Sequence, residues 1–390
     1  MIKVRETLKK NTMLIALVLV LLLFQALIVS AGKGSMFAPT NITNLINQNS
    51  YVVILATGML LCILTGGNID LSVGSIVAFI GAIAGVLIVN LGLNVYLAIF
   101  LCLLAGLLIG AWQGFWIAYM RIPPFIVTLA GMMLWRGMAL LTLNGLTISP
   151  FPDQYVKYFN SFLPNTEDHT KILTMTLIVG VLVCVAVAFG IIGGRVRKLR
   201  KGYNVGSALG TYLKTALICA VVLCVSYLLG KDKGLPVVLI LISAIVLIYS
   251  YFTSKTVPGR YLYALGGNEK ATKLSGVNTN RVLFFAYTNM AFLAAVAALV
   301  CVARFNSAAP SAGTNYELDA IGACFIGGAS AYGGTGTVGG AVIGAIFMGV
   351  LNNGMSILGI DANWQKVVKG LVLLVAVVFD VVSKKRSKAS

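Results

Sequence analysis

The sequence predicts an all-α polytopic membrane protein, and three observations carry that expectation. Residues AVILMFWYC make up 59% of the 390 positions, DEKR only 10%, and mean hydropathy is +0.94. A soluble domain carries about a quarter charged residues, so this chain lacks the polar surface to wrap a water-soluble core. Apolar stretches of about 20 residues, long enough to cross a hydrocarbon layer of about 30 Å, recur along its whole length.

Charge sets the orientation. Lys plus Arg number 29 against 11 Asp plus Glu, a formal charge of +18. The basic residues cluster beside the ends of apolar runs, at Lys3/Arg5/Lys9/Lys10, Arg195/Arg197/Lys198/Arg200/Lys201, Lys255/Arg260/Lys270/Lys273/Arg281 and Lys384/Lys385/Arg386/Lys388. Loops enriched in this way stay in the cytoplasm. No aromatic residues interleave with the charges as a nucleic-acid stacking platform requires, so no nucleic-acid partner is expected.

The elements follow in order. Thr12 to Ala31 is apolar and lies behind the first basic cluster. It exceeds the roughly 7 to 15 apolar residues of a cleaved leader, so it reads as a retained first helix with a cytoplasmic N-terminus. Further apolar runs lie at about 51–66, 72–89, 95–119, 125–143, 171–192, 213–229, 235–252, 282–303, 318–357 and 364–382. The run at 318–357 is too long for one span and breaks at Tyr332-Gly333-Gly334-Thr335-Gly336, which predicts two short or re-entrant helices. Both termini in the cytoplasm require an even number of crossings, 12, or 10 if a broken pair does not cross. The chain then forms one membrane domain, residues 1–390, with a loop at 254–280 and no room for a separate catalytic module.

Small residues at four-residue spacing, Gly81/Gly85, Gly106/Gly110/Gly114 and Gly336/Gly340/Gly344, mark close helix contacts, within the subunit or between subunits. The seven cysteines sit in apolar runs without a C-x-x-C pair and read as packing residues. The single histidine, His169, stands in a polar loop and is given no role. Arg136 is expected to snorkel outward from its span.

Two breaks fall at membrane depth, one in each half. In the first, Gly66 to Ser75, Asp70 would cost about 2.5–3.5 kcal/mol facing lipid at mid-membrane. It either caps a helix starting at Leu71 or belongs to a conduit or gate, together with Asn68, Ser72 and Gly74. The second spans Glu317 and Asp319 and the glycines from Gly327-Gly328 to Gly339-Gly340. Paired interrupted helices in a transporter point to the substrate path. Gly334 to Gly339 matches G-x-G-x-x-G but lies in an apolar helix run without a preceding strand, so a dinucleotide site is rejected. No G-x-x-x-x-G-K-[ST] occurs, so ATP has no phosphate-binding loop here.

Within Pro258 to Asn278, Gly266 and Gly267 read as a hinge, Asn268 as an N-cap and Glu269 as a charge at the positive helix end. Gly276 reads as a left-handed stop. A two-turn helix over 269–275 is marginal alone, and either rests on headgroups or docks on a partner.

Several long motifs then carry a resemblance: GGNIDLSVGS at 66–75, IPPFIVTLAG at 122–131, YALGGNEKATKLSG at 263–276, YELDA at 316–320 and residues 326–340. They resemble the permease subunits of ATP-binding-cassette sugar importers of the ribose/xylose/galactose class. Residues 171–235 look like an additional helix pair, which makes the chain most similar to xylose and multiple-monosaccharide permeases.

The resemblance implies a bacterial plasma (inner) membrane subunit that imports monosaccharides as a homodimer. Cytoplasmic ATPase subunits would hold the ATP, so this chain would bind no cofactor and catalyse no reaction, and an extracytoplasmic sugar-binding protein would deliver the substrate. Gly266, Gly267, Asn268, Glu269, Lys273, Leu274, Ser275 and Gly276 would form the ATPase-coupling helix. Asn68, Asp70, Ser72, Gly74, Glu317, Asp319, Gly327 and Gly328 would line or gate the path, with Glu317 and Asp319 near the outer face.

Three other classes compete. A stand-alone ion-coupled sugar transporter needs several ionisable groups at mid-membrane, and only Asp70 and Asp319 are available. An intramembrane enzyme needs a nucleophile with its base or a metal cluster, and neither is present. A branched-chain amino acid permease shares the architecture but differs around Tyr263 to Gly276.

Overall fold

A computed structural model of the chain describes residues 12–389 apart from 204, with side chains at all of these except 12, 379 and 383–389. The basic cluster Lys3 to Lys10 and the side chains of Lys384 to Lys388 lie outside the described residues. Ten of the described helices are long and apolar enough to cross a membrane. Among the described residues the only sheet is a two-residue ladder, so the predicted all-α class holds.

The path starts with α1 (Thr12–Ser30), α2 (Pro39–Leu64), α3 (Val73–Gly85, continued by a π-turn Val86–Asn90), α4 (Val95–Ala118) and α5 (Pro124–Leu143). A short outer helix, α6 (Asp153–Asn160), and strand β1 (Phe162–Leu163) lead to the hairpin α7 (His169–Arg200) and α8 (Ala208–Gly230). Strand β2 (Leu235–Pro236) pairs antiparallel with β1 and runs into α9 (Val237–Lys255). Then come α10 (Val257–Gly267), α11 (Glu269–Leu274), α12 (Thr279–Phe305), α13 (Tyr316–Ile326), α14 (Val338–Ile357) and α15 (Ala362–Ala389).

One end of the bundle holds the end of α2, the α10–α11 loop and the loop after α13. The basic last turn of α7 and Lys255 point the same way, and the positive-inside rule makes this end cytoplasmic. The β1–β2 ladder and the Ile148–Ala308 bridge mark the outer end. Among the described residues the ten long apolar helices are α1 to α5, α7, α8, α9, α12 and α14, while α13, with 11 residues, is too short to cross alone. The long run at 318–357 resolves into α13 and α14, as its glycine break predicts.

Helices α2 and α12 form the buried centre, while α7 and α8 pack mainly on each other at the periphery. The spaced glycines explain the closeness of the core. A Cβ at Gly106 or Gly110 would meet Ala291, Ala295 or Thr288 of α12, and one at Gly114 would meet Phe284. A Cβ at Gly344 would strike the Ala323 carbonyl. These stripes therefore pack helices inside the subunit, where small residues let backbones approach in an apolar medium. All seven cysteines are free.

Candidate functional site: two broken helices and a cytoplasmic loop

The first break lies between α2 and α3. After Leu64 the chain turns on Gly66 and Gly67, both with positive φ, and runs back beside α2 until the Asp70 amide meets the Met59 Sδ at 3.4 Å. Asn68 is half-buried, its amide donating back to the Thr65 hydroxyl and carbonyl.

Asp70 is fully buried. One carboxylate oxygen accepts from the Ser72 amide at 2.9 Å and the Ser72 hydroxyl at 2.6 Å, and Gln113 Nε2 donates to that hydroxyl at 2.8 Å. Helix α3 begins at Val73, and Asp70 bonds none of its first-turn amides. The expected cap on a helix starting at Leu71 is therefore replaced by a tight turn onto Ser72, because the free donors nearest the carboxylate belong to that residue. Gly74 is buried against Gly313 and Glu317, where any side chain would strike the Gly313 carbonyl.

The second break precedes and follows α13. Arg136 does not snorkel outward: its guanidinium turns inward to the carbonyls of Pro310 (3.1 Å) and Ala312 (2.6 Å). Those carbonyls lie in the non-helical stretch 306–315, which dips beside Gly74 and has no ladder of its own to satisfy them. Glu317, half-buried, faces the same corner.

Asp319 is buried and holds two partners that sequence reasoning missed. Lys369 of α15 approaches it at 2.9 Å, and the Tyr51 hydroxyl of α2 donates to it at 2.6 Å. Tyr51 also stacks on Tyr316 with ring centroids 3.8 Å apart. Tyr51 lies twelve residues into α2, about 18 Å along its axis. Asp319, expected near the outer face where a binding protein would dock, has its carboxylate occupied inside the chain by Lys369 and Tyr51. Gly327 faces the Gly340 carbonyl across the α13–α14 crossing, and Gly328, with positive φ, abuts the Met13 side chain.

The cytoplasmic loop keeps its predicted caps and loses its hinge. Asn268 accepts from the Ala271 amide at 3.0 Å, Glu269 occupies the first turn of α11, and Gly276 closes it with φ +85°. Helix α11 ends at Leu274, with Ser275 as its C-cap and Lys273 in its last turn. Gly266 and Gly267, in contrast, are the last helical residues of α10. At Gly266 a Cβ would fall on the Leu64 carbonyl and close to the Gly334 amide, whereas at Gly267 nothing lies within 4 Å. Gly266 is a contact point, not a hinge.

That contact joins the three regions. The Gly334 amide donates to the Leu64 carbonyl at 3.1 Å, a Cβ at Gly67 would meet the Ala331 carbonyl, and Tyr263 donates its hydroxyl to the Gly336 carbonyl at 3.0 Å. Burial holds the Tyr263 phenol above its usual range, so it stays a donor. Asp380 of α15 accepts from the Ala331 amide at 3.1 Å.

Arg121, with φ +57°, fastens the other side, reaching Glu269 at 2.6 Å, the Thr279 hydroxyl at 2.9 Å and Asn280. Ala118, Leu265 and Leu283 form a small apolar core beneath it. Leu274, by contrast, is 89% exposed at the tip of α11. Beside it a groove of about 510 Å³ lies between α10 and α11, lined by Arg260, Tyr261, Asn268, Thr272 and Ser275.

No metal-holding group of His, Cys, Asp and Glu exists among the described residues. The assembly is a multi-pass membrane permease: broken helices in the bundle, in backbone contact with a cytoplasmic element that presents the exposed Leu274. Residues 41–377 match the family described as branched-chain amino acid transport system / permease component, and the chain belongs to that family. It is similar to the xylose transport system permease protein XylH of Escherichia coli K12, 37% identical over 354 residues, 91% of this chain and 88% of that one. XylH of Haemophilus influenzae is 36% identical over 376 residues, 96% of both chains. The ribose import permease protein RbsC of Escherichia coli K12 is 35% identical over 362 residues, 93% of this chain and 92% of that one. No solved structure matches.

Proposed function

We propose that the chain is the membrane-spanning subunit of an ATP-driven importer of monosaccharides, xylose or related pentoses and hexoses, in a bacterial plasma (inner) membrane. Two copies form the path, ATPase subunits dock on α10 and α11, and an outer binding protein supplies the sugar. Similarity to XylH and RbsC over more than nine-tenths of the chain supports sugar over amino acid cargo. The observation that carries the coupling is the Gly266–Leu64–Gly334 contact. A push on α11 reaches α10 through a single residue, Asn268, and α10 abuts both breaks by backbone. Movement there need not be absorbed by flexible side chains, so it passes to the broken helices as a rigid displacement.

The catalytic work belongs to the partner, and this chain converts it into alternating access. Uptake of labelled xylose and ribose in cells dependent on this chain tests the reading. ATP-driven import is abolished by arsenate, which depletes ATP, and survives a protonophore. Loss of uptake with the protonophore alone, at normal ATP, would instead establish the ion-coupled alternative.

A further inference from the structure

The outer third of α2 is unusually polar for a helix at the centre of a membrane bundle. Thr40, Thr43, Asn44, Asn47, Gln48 and Tyr51 recur at the period of an α-helix and fall on one side of it, within about 140° of arc at 100° per residue. The upper part of this stripe lines a cavity of about 330 Å³ at the outer end of the bundle, and its lower end is the Tyr51 that bonds Asp319 in the second break.

The other walls are supplied by separate elements. Asn160 ends α6, Phe162 lies in β1, Asp232 and Lys233 sit in the turn after α8, and Arg304 comes from the last turn of α12. Arg304 is oriented by the Gln48 carbonyl at 3.4 Å, and the Lys233 ammonium stands 5.7 Å from the Phe162 ring centre. Among the described residues no ion pair ties Asp232 to Lys233 or Arg304, so its carboxylate keeps its acceptors free within the cavity.

We infer that this cavity is a saccharide subsite within the permease, the first position that a monosaccharide occupies on the way from the outer face to the second break. The inference rests on the importer reading and specifies a site for it. Each sugar hydroxyl both donates and accepts, and carboxamides offer both functions side by side on Asn44, Asn47 and Asn160, whereas the Gln48 side-chain oxygen already accepts from Asn353. A carboxylate and a guanidinium bind vicinal hydroxyls by charge-assisted bonds. Phe162 supplies an apolar face for the C–H side of a sugar ring. A volume of about 330 Å³ lies at the small end of ligand sites, which run from about 300 to 1,000 Å³ and suit one ring better than two. A branched apolar amino acid could pair its ammonium with Asp232 and its carboxylate with Arg304, but its side chain would leave the carboxamides of Asn44, Asn47 and Asn160 without partners, which disfavours it.

The test is saturation-transfer NMR on the full-length chain in lipid nanodiscs, without ATPase or binding protein, using D-xylose and D-ribose as probes and leucine as control. Transfer to the sugars but not to leucine is expected. It should fall about fivefold or more in Asn47→Ala and in Asp232→Ala, the loss of one or two hydrogen bonds each. Thermal melting of each variant in the same discs separates loss of the site from loss of the fold. The conservative Asp232→Asn, which keeps two acceptor lone pairs, should retain more transfer than Asp232→Ala. Absent sugar transfer with the wild type, or transfer unchanged in folded variants, overturns the subsite while leaving sugar import by the complete system in place. Transfer to leucine in preference to both sugars overturns the subsite and the importer reading together.

Discussion

Gly266 and Leu64 meet backbone to backbone: the Cβ of any other residue at 266 would fall on the Leu64 carbonyl oxygen. Since Gly334 donates to that same oxygen, one atom at the end of α2 is shared by the cytoplasmic loop and the second break. Gly266→Ala is therefore expected to force the three segments apart, at about 1–3 kcal/mol of overpacking, and to cut sugar uptake at least tenfold. Gly267→Ala, with open space and no positive φ, should leave uptake close to wild type. Uptake assays on the two variants at matched expression check the pair, and equal losses would show that the site acts as a hinge after all.

The Asp319–Lys369 pair predicts a stability change. Removing Lys369 leaves a buried carboxylate held by Tyr51 alone, and breaking such a pair costs about 3–5 kcal/mol. Lys369→Met should lower the melting temperature in detergent markedly, while Lys369→Met with Asp319→Asn should recover a large part of the loss. A double variant no better than the single one would contradict a pairing role.

Arg136 predicts an opening of the stretch 306–315. Its two bonds to the Pro310 and Ala312 carbonyls are charge-assisted, worth about 1.5–3 kcal/mol each at most. Arg136→Met should increase labelling of a cysteine placed at Ser311 by an impermeant maleimide several-fold, relative to the same cysteine with Arg136 intact. Unchanged labelling would count against the pinning role.

Arg121 and Glu269 form an exposed pair, with 42% and 49% of their side chains accessible. Such pairs contribute about 0–1 kcal/mol, so Glu269→Gln should barely move the melting temperature. Its effect should appear as a weaker, salt-sensitive coupling of ATP hydrolysis to uptake. A melting shift of many degrees would reveal a structural role instead.

The legible and illegible parts divide by range. Spans, breaks and caps are local: hydropathy runs locate α2, α3 and α12, and Asn268 and Gly276 announce the ends of α11 within a few residues. The motif at 263–276 carries the family resemblance in the sequence alone. What stayed hidden depends on contacts between distant segments. Lys369 lies 50 positions from Asp319, and its neighbourhood reads as the polar start of a span.

Arg136 obeys the snorkelling expectation only if no protein carbonyl is nearer than water, and the dipping stretch 306–315 supplies two. Gly266 looked flexible because a glycine pair in sequence gives freedom and close approach the same signature. The polar stripe of α2 is visible as composition at 39–51 but falls outside the apolar run at 51–66, so hydropathy alone does not extend the span through it.

In the proposed mechanism α11, with its exposed Leu274, is the docking point through which a partner ATPase drives this permease. Purification of the tagged chain from native membranes in mild detergent, beside a Glu269→Lys, Leu274→Asp variant, tests it most directly. An ATPase subunit that co-purifies with the wild type and is lost from the folded variant is the predicted result. Equal recovery of that subunit with both chains, or none with either while sugar uptake still depends on this chain, would contradict it.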